Sequence, residues 1–240
     1  VNIAGRVMRY LGRQISGRLL PSQIVWSENR FAAIKRRIAT DSPVIVDGGA
    51  HTGDVVDTFL WNYRSPTIHA FEPIPELAQR LRQKYAGRPN VIVHAVALGA
   101  TSASVTLNVT GALESSSILE PTALHADWHG SGQQVQSRLQ VSQRRLDDVL
   151  DSGIDILKLD LQGAELAALE GAGELLQRTR LVLTEVEFVA LYRDQPLFAD
   201  IDRHLRAKGF RLLNLYEWFC HASGQLSSAD AIYLNERYFP

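Results

Sequence analysis

Apolar positions along this chain follow two different rhythms. Ile3, Val7, Leu11, Ile15 and Leu19 recur at helical spacing, with Arg6, Arg9 and Arg13 on another face, which predicts a basic amphipathic helix. From Val44 onward, short apolar runs alternate with helical stretches. Val44–Val46, Thr67–Phe71 and Val91–His94 read as strands. Residues 54–63 and Pro75–Tyr85 read as helices, the second opened by a proline and followed by Gly87. Strand, helix, strand, helix, strand at this spacing predicts a parallel sheet with helices on its faces.

The middle of the chain is less regular. Ser104–Val109 and Val135–Val141 alternate like exposed strands, and between them Glu114 to Gln134 is rich in Ser, Gly and His. A loop of that length is uncommon unless it is functional, so it is read as a lid or a binding insertion. The α/β rhythm then returns. Ile154–Leu159 and Leu181–Val186 read as strands and Ala164–Glu170 as a helix. Leu197, Ile201 and Leu205 mark another helix that stops at Lys208-Gly209. Phe210–Tyr216 and Ala229–Leu234 close the chain as an antiparallel pair at the sheet edge. The division expected is a helical extension over residues 1–40 and an α/β domain over 41–240, with an insertion at about 104–142.

Composition narrows the function classes. A length of 240 residues with 45% hydrophobic and 21% charged residues suits one globular domain. A net charge of −1 disfavours a dedicated nucleic-acid binder, which needs a basic excess to displace counterions. The charge is uneven: residues 1–37 hold eight Lys/Arg against the single acid Glu28, a net +7, which leaves −8 for the rest. Residues 1–20 therefore read either as a helix packed on the domain or a second subunit, or as a contact with an anionic membrane surface. Cys220 is the single cysteine, so neither an intrachain disulfide nor a cysteine zinc site is possible, and a reducing, cytoplasmic setting is expected. No run reaches the apolar length of a membrane span.

Candidate chemistry gathers at three strand ends. The apolar Val44-Ile45-Val46 runs into Asp47-Gly48-Gly49-Ala50-His51-Thr52-Gly53 and then a helix. Glycines at 49 and 53 allow close backbone approach, and the helix start beyond offers free N–H groups. Glu72 ends the next strand, 19 residues past Gly53, where a carboxylate can accept from both hydroxyls of a ribose. A dinucleotide fingerprint G-x-G-x-x-G would put Ala50 at the middle glycine, so that fit is imperfect, whereas D-x-G-x-x-x-G fits at Asp47, Gly49 and Gly53. An acid at the head of the loop suits an ammonium-bearing ligand such as S-adenosylmethionine. His51 lies in the loop, either touching the cofactor or acceptor or simply hydrogen-bonding nearby. Further on, Lys158 and Asp160 share a side of their strand, Glu165 opens a helix as a cap or a catalytic acid, and Glu185 and Glu187 share a face of the strand after that. Asp160, Glu185 and Glu187 could gather into a carboxylate cluster that deprotonates a hydroxyl or holds a divalent cation. The alternative is a buried Lys158–Glu185 ion pair with Glu187 solvated.

These residues resemble the FkbM family of methyltransferases over about residues 40 to 235. The resemblance rests on Val44–Ala50, Ala70-Phe71-Glu72-Pro73 and Leu146-Asp147-Asp148-Val149. It rests most of all on Asp155–Glu165 with Leu169-Glu170-Gly171-Ala172, and on the tail from Glu185-Val186-Glu187-Phe188 through Leu191-Tyr192 to Gln195–Phe198. It implies a Rossmann-like class I methyltransferase fold with a mostly parallel seven-stranded sheet. It also implies transfer from S-adenosylmethionine to oxygen on a sugar or a polyketide-like small molecule. The family often has Asn at the position of His51 and Glu at the position of Gln162. Under this reading Asp47, Gly49 and Gly53 hold the methionine part, Glu72 the ribose, and the turn Ala95-Val96-Ala97 flanks the adenine, with Ala50, His51 and Pro73 also at the cofactor. Asp160 also touches the cofactor and, with Glu185, serves the acceptor hydroxyl. Residues 111–134 and 217–228 are expected to line the acceptor pocket. The rivals are a nicotinamide-dependent oxidoreductase and a catalytically silent module that keeps the cofactor pocket.

Overall fold

The computed structural model describes residues 29–129 and 134–240. The amphipathic stretch at residues 1–20 lies outside them. The chain divides into two units, residues 1–37 and 38–240. In the first, helix α1 spans Arg30–Arg37. Its start is capped by Asn29, whose side-chain oxygen accepts the Ala32 N–H at 2.8 Å. Lys35, Arg36 and Arg37 crowd its last turn, where cations suit the helix dipole.

Residues 38–240 carry a seven-stranded sheet. Its strands are β1 (Val44–Gly48), β2 (Thr67–Phe71), β3 (Val91–His94), β7 (Ile154–Leu159), β8 (Thr179–Glu187), β9 (Phe210–Cys220) and β10 (Leu226–Asn235). Their order is β3-β2-β1-β7-β8-β10-β9. Neighbours from β3 to β8 pair in parallel, and β10 is antiparallel to both β8 and β9. The sheet is thus mostly parallel, as expected. Helices α2 (Asp54–Asn62), α3 (Pro75–Lys84), α5 (Glu165–Gly171) and α6 (Phe198–Ala207) connect the strands. The central strands are largely apolar and buried, broken by polar residues such as Asp47 on β1 and Lys158 on β7. Val46, Leu157, Leu159, Val182 and Val186 share one core with Leu169, Leu176, Ile201, Leu205 and Tyr233.

The chain runs from β1 outward to β3, then returns to place β7 on the other side of β1. That reversal opens a crevice at the carboxyl ends of β1 and β7, the place where ligands bind in open α/β sheets.

Two regions differ from expectation. A second, three-stranded sheet, β4-β6-β5, joins β4 (Ala97–Leu98) to the pair β5 (Ala103–Thr110) and β6 (Val135–Arg144). The stretch read as one long loop contains a 3₁₀ turn, Leu113–Ser115, and helix α4, Ala123–His129. Backbone bridges Asn108↔Ser117 and Pro121↔Tyr192 pin it to its surroundings. The Trp128 ring stacks on His221 at 4.4 Å, and His125 lies against Tyr192 at 4.9 Å. Its polar composition concealed order that comes from tertiary contacts. Strand β9 also runs on past Tyr216 to Cys220, beyond a left-handed Glu217 (φ 46°) that breaks the alternation.

Candidate functional site

The glycine loop is shaped by what lies against it. Gly49 has φ 75°, and a Cβ there would run into the carbonyl oxygen of Asp160, so the end of β7 presses directly on the loop. The Gly49 and Ala50 N–H groups both donate to the Phe71 carbonyl at 3.0 Å, which ties the loop to the end of β2. Gly53 (φ 85°) faces α3 instead: a Cβ would meet the Tyr85 hydroxyl, which donates to the Gly53 carbonyl at 2.9 Å.

Glu72 braces the other side. Its Oε2 accepts the His51 N–H and its Oε1 the Ile74 N–H, each at 2.9 Å. Burial pushes its pKa up against those two bonds. Each oxygen keeps acceptor capacity beyond the backbone bond it already makes.

Between these elements lies a cavity of about 230 Å³. Gly49, Ala50, His51, Glu72, Pro73, Val96 and Asp160 all line it, as do Thr52, Asp54 and Val55 at the start of α2. Phe71, Ile74, Leu98 and Leu107 give it apolar surface. Leu113, Glu114, Ser116, Ser117 and Ile118 close it from the insertion. The sequence pointed to residues 111–134 for this wall without picking out these five; residues 217–228 are not among the lining residues. An apolar slot beside a carboxylate, with a helix N-terminus close by, has the donor and acceptor set that an adenosine with a charged tail needs.

Three residues expected at the cofactor or acceptor do not line the cavity: Asp47, Gly53 and Glu185. Asp47 is wholly buried, and the ammonium it meets is that of Lys158, at 3.0 Å. The two are register partners on β1 and β7, so their side chains emerge on one face. Lys158 also donates to the carbonyls of Gly48 (3.1 Å) and Gly49 (3.2 Å) and lies 3.9 Å from Asp160 Oδ2. Burial favours its neutral amine, but Asp47 and Asp160 outweigh that and hold its pKa above the ordinary lysine value. The alternative of a Lys158–Glu185 pair is replaced by this triad. Glu165 accepts the N–H groups of Leu161 (2.6 Å) and Gly163 (3.3 Å), organising the turn into α5.

Beyond Lys158 lies a cluster of acids. Asp160 is 44% exposed at the side chain and faces the cavity. Gln162 Nε2 donates to Asp160 Oδ1 at 2.9 Å and to Glu185 Oε2 at 3.1 Å. Burial, then the charge of Asp160, pushes Glu185 well above the usual carboxylate range. Glu187 is pushed up to about 8 by burial and by Glu165 and Asp160, and Glu165 to about 7, chiefly by burial. So Glu187 is not the solvated acid of the alternative reading. Among the described residues, no group of three or more His, Cys, Asp or Glu side chains is arranged to hold a metal ion. The Gln162 amide bridges two of the gathered carboxyls, Asp160 and Glu185.

Residues 47–212 match the family model described as the methyltransferase FkbM domain. Over 177 residues the chain is 28% identical to the 2-O-methyltransferase NoeI of Sinorhizobium fredii (strain NBRC 101917 / NGR234), covering 67% of this chain and 70% of that protein. The crystal structure of methyltransferase FkbM from Methylobacillus flagellatus KT superposes with a TM-score of 0.53 at 14% identity. That match covers 90% of this chain but 46% of the larger one, and it shows a shared fold.

Proposed function

Since the chain belongs to the FkbM methyltransferase domain family, we propose that it moves a methyl group from S-adenosylmethionine to a hydroxyl oxygen on a sugar or a polyketide-like small molecule. The observation that carries this reading is the cavity at the carboxyl ends of β1, β2 and β7, with Glu72 at one strand end and Asp160 at another. The name of the Sinorhizobium relative, a 2-O-methyltransferase, supports oxygen as the accepting atom.

The residues divide the work. Ala50, His51 and Gly49, with the first turn of α2, hold the charged methionine end. Glu72 offers its remaining lone pairs to the ribose hydroxyls beside Pro73. Val96 forms the adenine slot with Phe71 and Leu98. Asp47 acts from below, through Lys158, and Gly53 acts by letting α3 close on the loop. The cofactor supplies a methyl group already activated on sulfonium sulfur. The protein's main task is alignment, worth effective molarities of ~10⁵–10⁸ M in favourable cases. Asp160 meets the acceptor hydroxyl and takes its proton as the new O–CH₃ bond forms, with Glu185 behind it. Leu113, Glu114 and Ser116 shape the acceptor end.

The test is transfer of a radiolabelled methyl group from S-adenosylmethionine to a panel of methyl glycosides with a free 2-hydroxyl. Transfer that is lost in Asp160→Asn supports the reading. Transfer unaffected by that substitution removes Asp160 from the chemistry.

A further inference from the structure

Gln162 follows β7 in the left-handed region, with φ 53°, and Gly163 after it has φ 97°. A side chain rarely sits there, and such strain persists where the surroundings over-determine it. Here they do. The Ser117 hydroxyl donates to the Gln162 carbonyl at 2.6 Å. The side-chain nitrogen reaches Asp160 and Glu185, and the Tyr192 hydroxyl lies 3.1 Å from Oε1. The same hydroxyl lies 3.0 Å from the Ser115 carbonyl, so its single proton serves two acceptors. The amide nitrogen faces the two carboxyls and its oxygen accepts from the Tyr192 hydroxyl.

The two acids that share this amide also act on each other. Burial and the nearby Asp160 both disfavour a charge on Glu185. Two carboxyls that accept from one amide nitrogen are close enough for the titration of each to depend on the other. The groups facing the pair differ between its two sides. Lys158 on β7, backed by Asp47 on β1, stands on the Asp160 side, 3.9 Å from Oδ2. Glu165 on α5 and Glu187 on β8 stand toward Glu185 and favour its protonated form. Tyr192 is held neutral by burial and by these same acids.

We propose that Gln162 is a positioning residue whose single amide nitrogen clamps the Asp160 and Glu185 carboxyls into a coupled pair, with Asp160 held toward the cavity. Its use in catalysis rests on the methyl-transfer reading above. The pairing itself can be measured without any acceptor.

The experiment is a carboxyl-carbon NMR titration of protein labelled at the Asp and Glu carboxyls, assigned with Asp160→Asn and Glu185→Gln. The wild type should show the pair titrating in two coupled steps, one of them above the ordinary carboxylate range. Each assigning variant should leave a single step closer to that range. Gln162→Ala removes two donors to the ionised form and should raise the lower step by about one pH unit. Gln162→Glu adds a third acid and should raise it further. Tyr192→Phe loosens the amide from behind and should move it the same way by less, which decides the matter if Gln162→Ala does not fold. Two independent, ordinary carboxyls in the wild type would overturn the proposal. So would a pair unmoved in both Gln162→Ala and Tyr192→Phe. S-adenosylhomocysteine binding is measured on the same wild-type sample. Its absence would sink the methyltransferase reading while the titration still ruled on the clamp.

Discussion

Lys158 is the residue whose removal should cost most. Its ammonium is almost wholly buried and meets Asp47 at 3.0 Å, two loop carbonyls at 3.1 and 3.2 Å, and Asp160 at 3.9 Å. Lys158→Met keeps most of the volume but strands Asp47, which is 0% exposed. Breaking a buried pair from one side costs about 3–5 kcal/mol, because the remaining charge has neither partner nor water. Asp47→Leu alone should cost less than Lys158→Met, because Lys158 keeps the two loop carbonyls and Asp160 within reach. The double variant buries no unpaired charge and should cost far less than the sum, with a coupling of at least about 2 kcal/mol in the cycle. The assay is urea unfolding followed by tryptophan fluorescence, accepting only variants with an unchanged m-value. Single costs below about 1 kcal/mol, or costs that simply add, would refute a buried ion pair as the strut beneath the glycine loop.

Other outcomes follow from the same geometry. Gly49→Ala should destabilise by more than about 3 kcal/mol, since it combines a backbone collision with a positive φ, while Gly87→Ala, with open space around it, should stay within about 0.5 kcal/mol in the same unfolding assay. Glu187, raised to about 8, keeps a proton in the folded state that the unfolded chain has already released. Folding therefore binds more protons than unfolding between the ordinary carboxylate range and about pH 8, and the stability this proton contributes is lost as pH rises through that window. Calorimetric scans from about pH 5 to about pH 8 should show the melting temperature falling with pH, and Glu187→Gln should flatten the fall; an unchanged slope would contradict the shift. Tyr85→Phe removes the hydroxyl that serves the Gly53 carbonyl and Asp57 (both 2.9 Å) and should cost about 1 kcal/mol by urea unfolding.

Much of this architecture was legible in the chain, for a physical reason. Thr67–Phe71, Val91–His94 and Ile154–Leu159 were read to the residue because each is a short, mostly apolar run bounded by turn residues. The two residues of β4 were too few to leave a period, and α4 owes its order to partners such as His221 and Tyr192 that lie far along the chain. At the site, Gly49, Glu72 and Asp160 could be found because each stands where an apolar strand ends. The fate of Asp47 could not, because it depends on the register between β1 and β7 that sets Lys158 opposite it. Tyr192 and Ser117 reach Gln162 from separate loops, and no spacing along the chain marks that meeting.

The central claim is that this cavity binds an adenosine-bearing methyl donor through Glu72. Calorimetric titration with S-adenosylhomocysteine, on the wild type and on Glu72→Ala, tests it without knowledge of the acceptor. The account predicts binding by the wild type and a loss of at least about tenfold, 1.4 kcal/mol or more, in the variant. A folded wild-type protein that takes up no S-adenosylhomocysteine, or a Glu72→Ala variant that binds as tightly as the wild type, would contradict it.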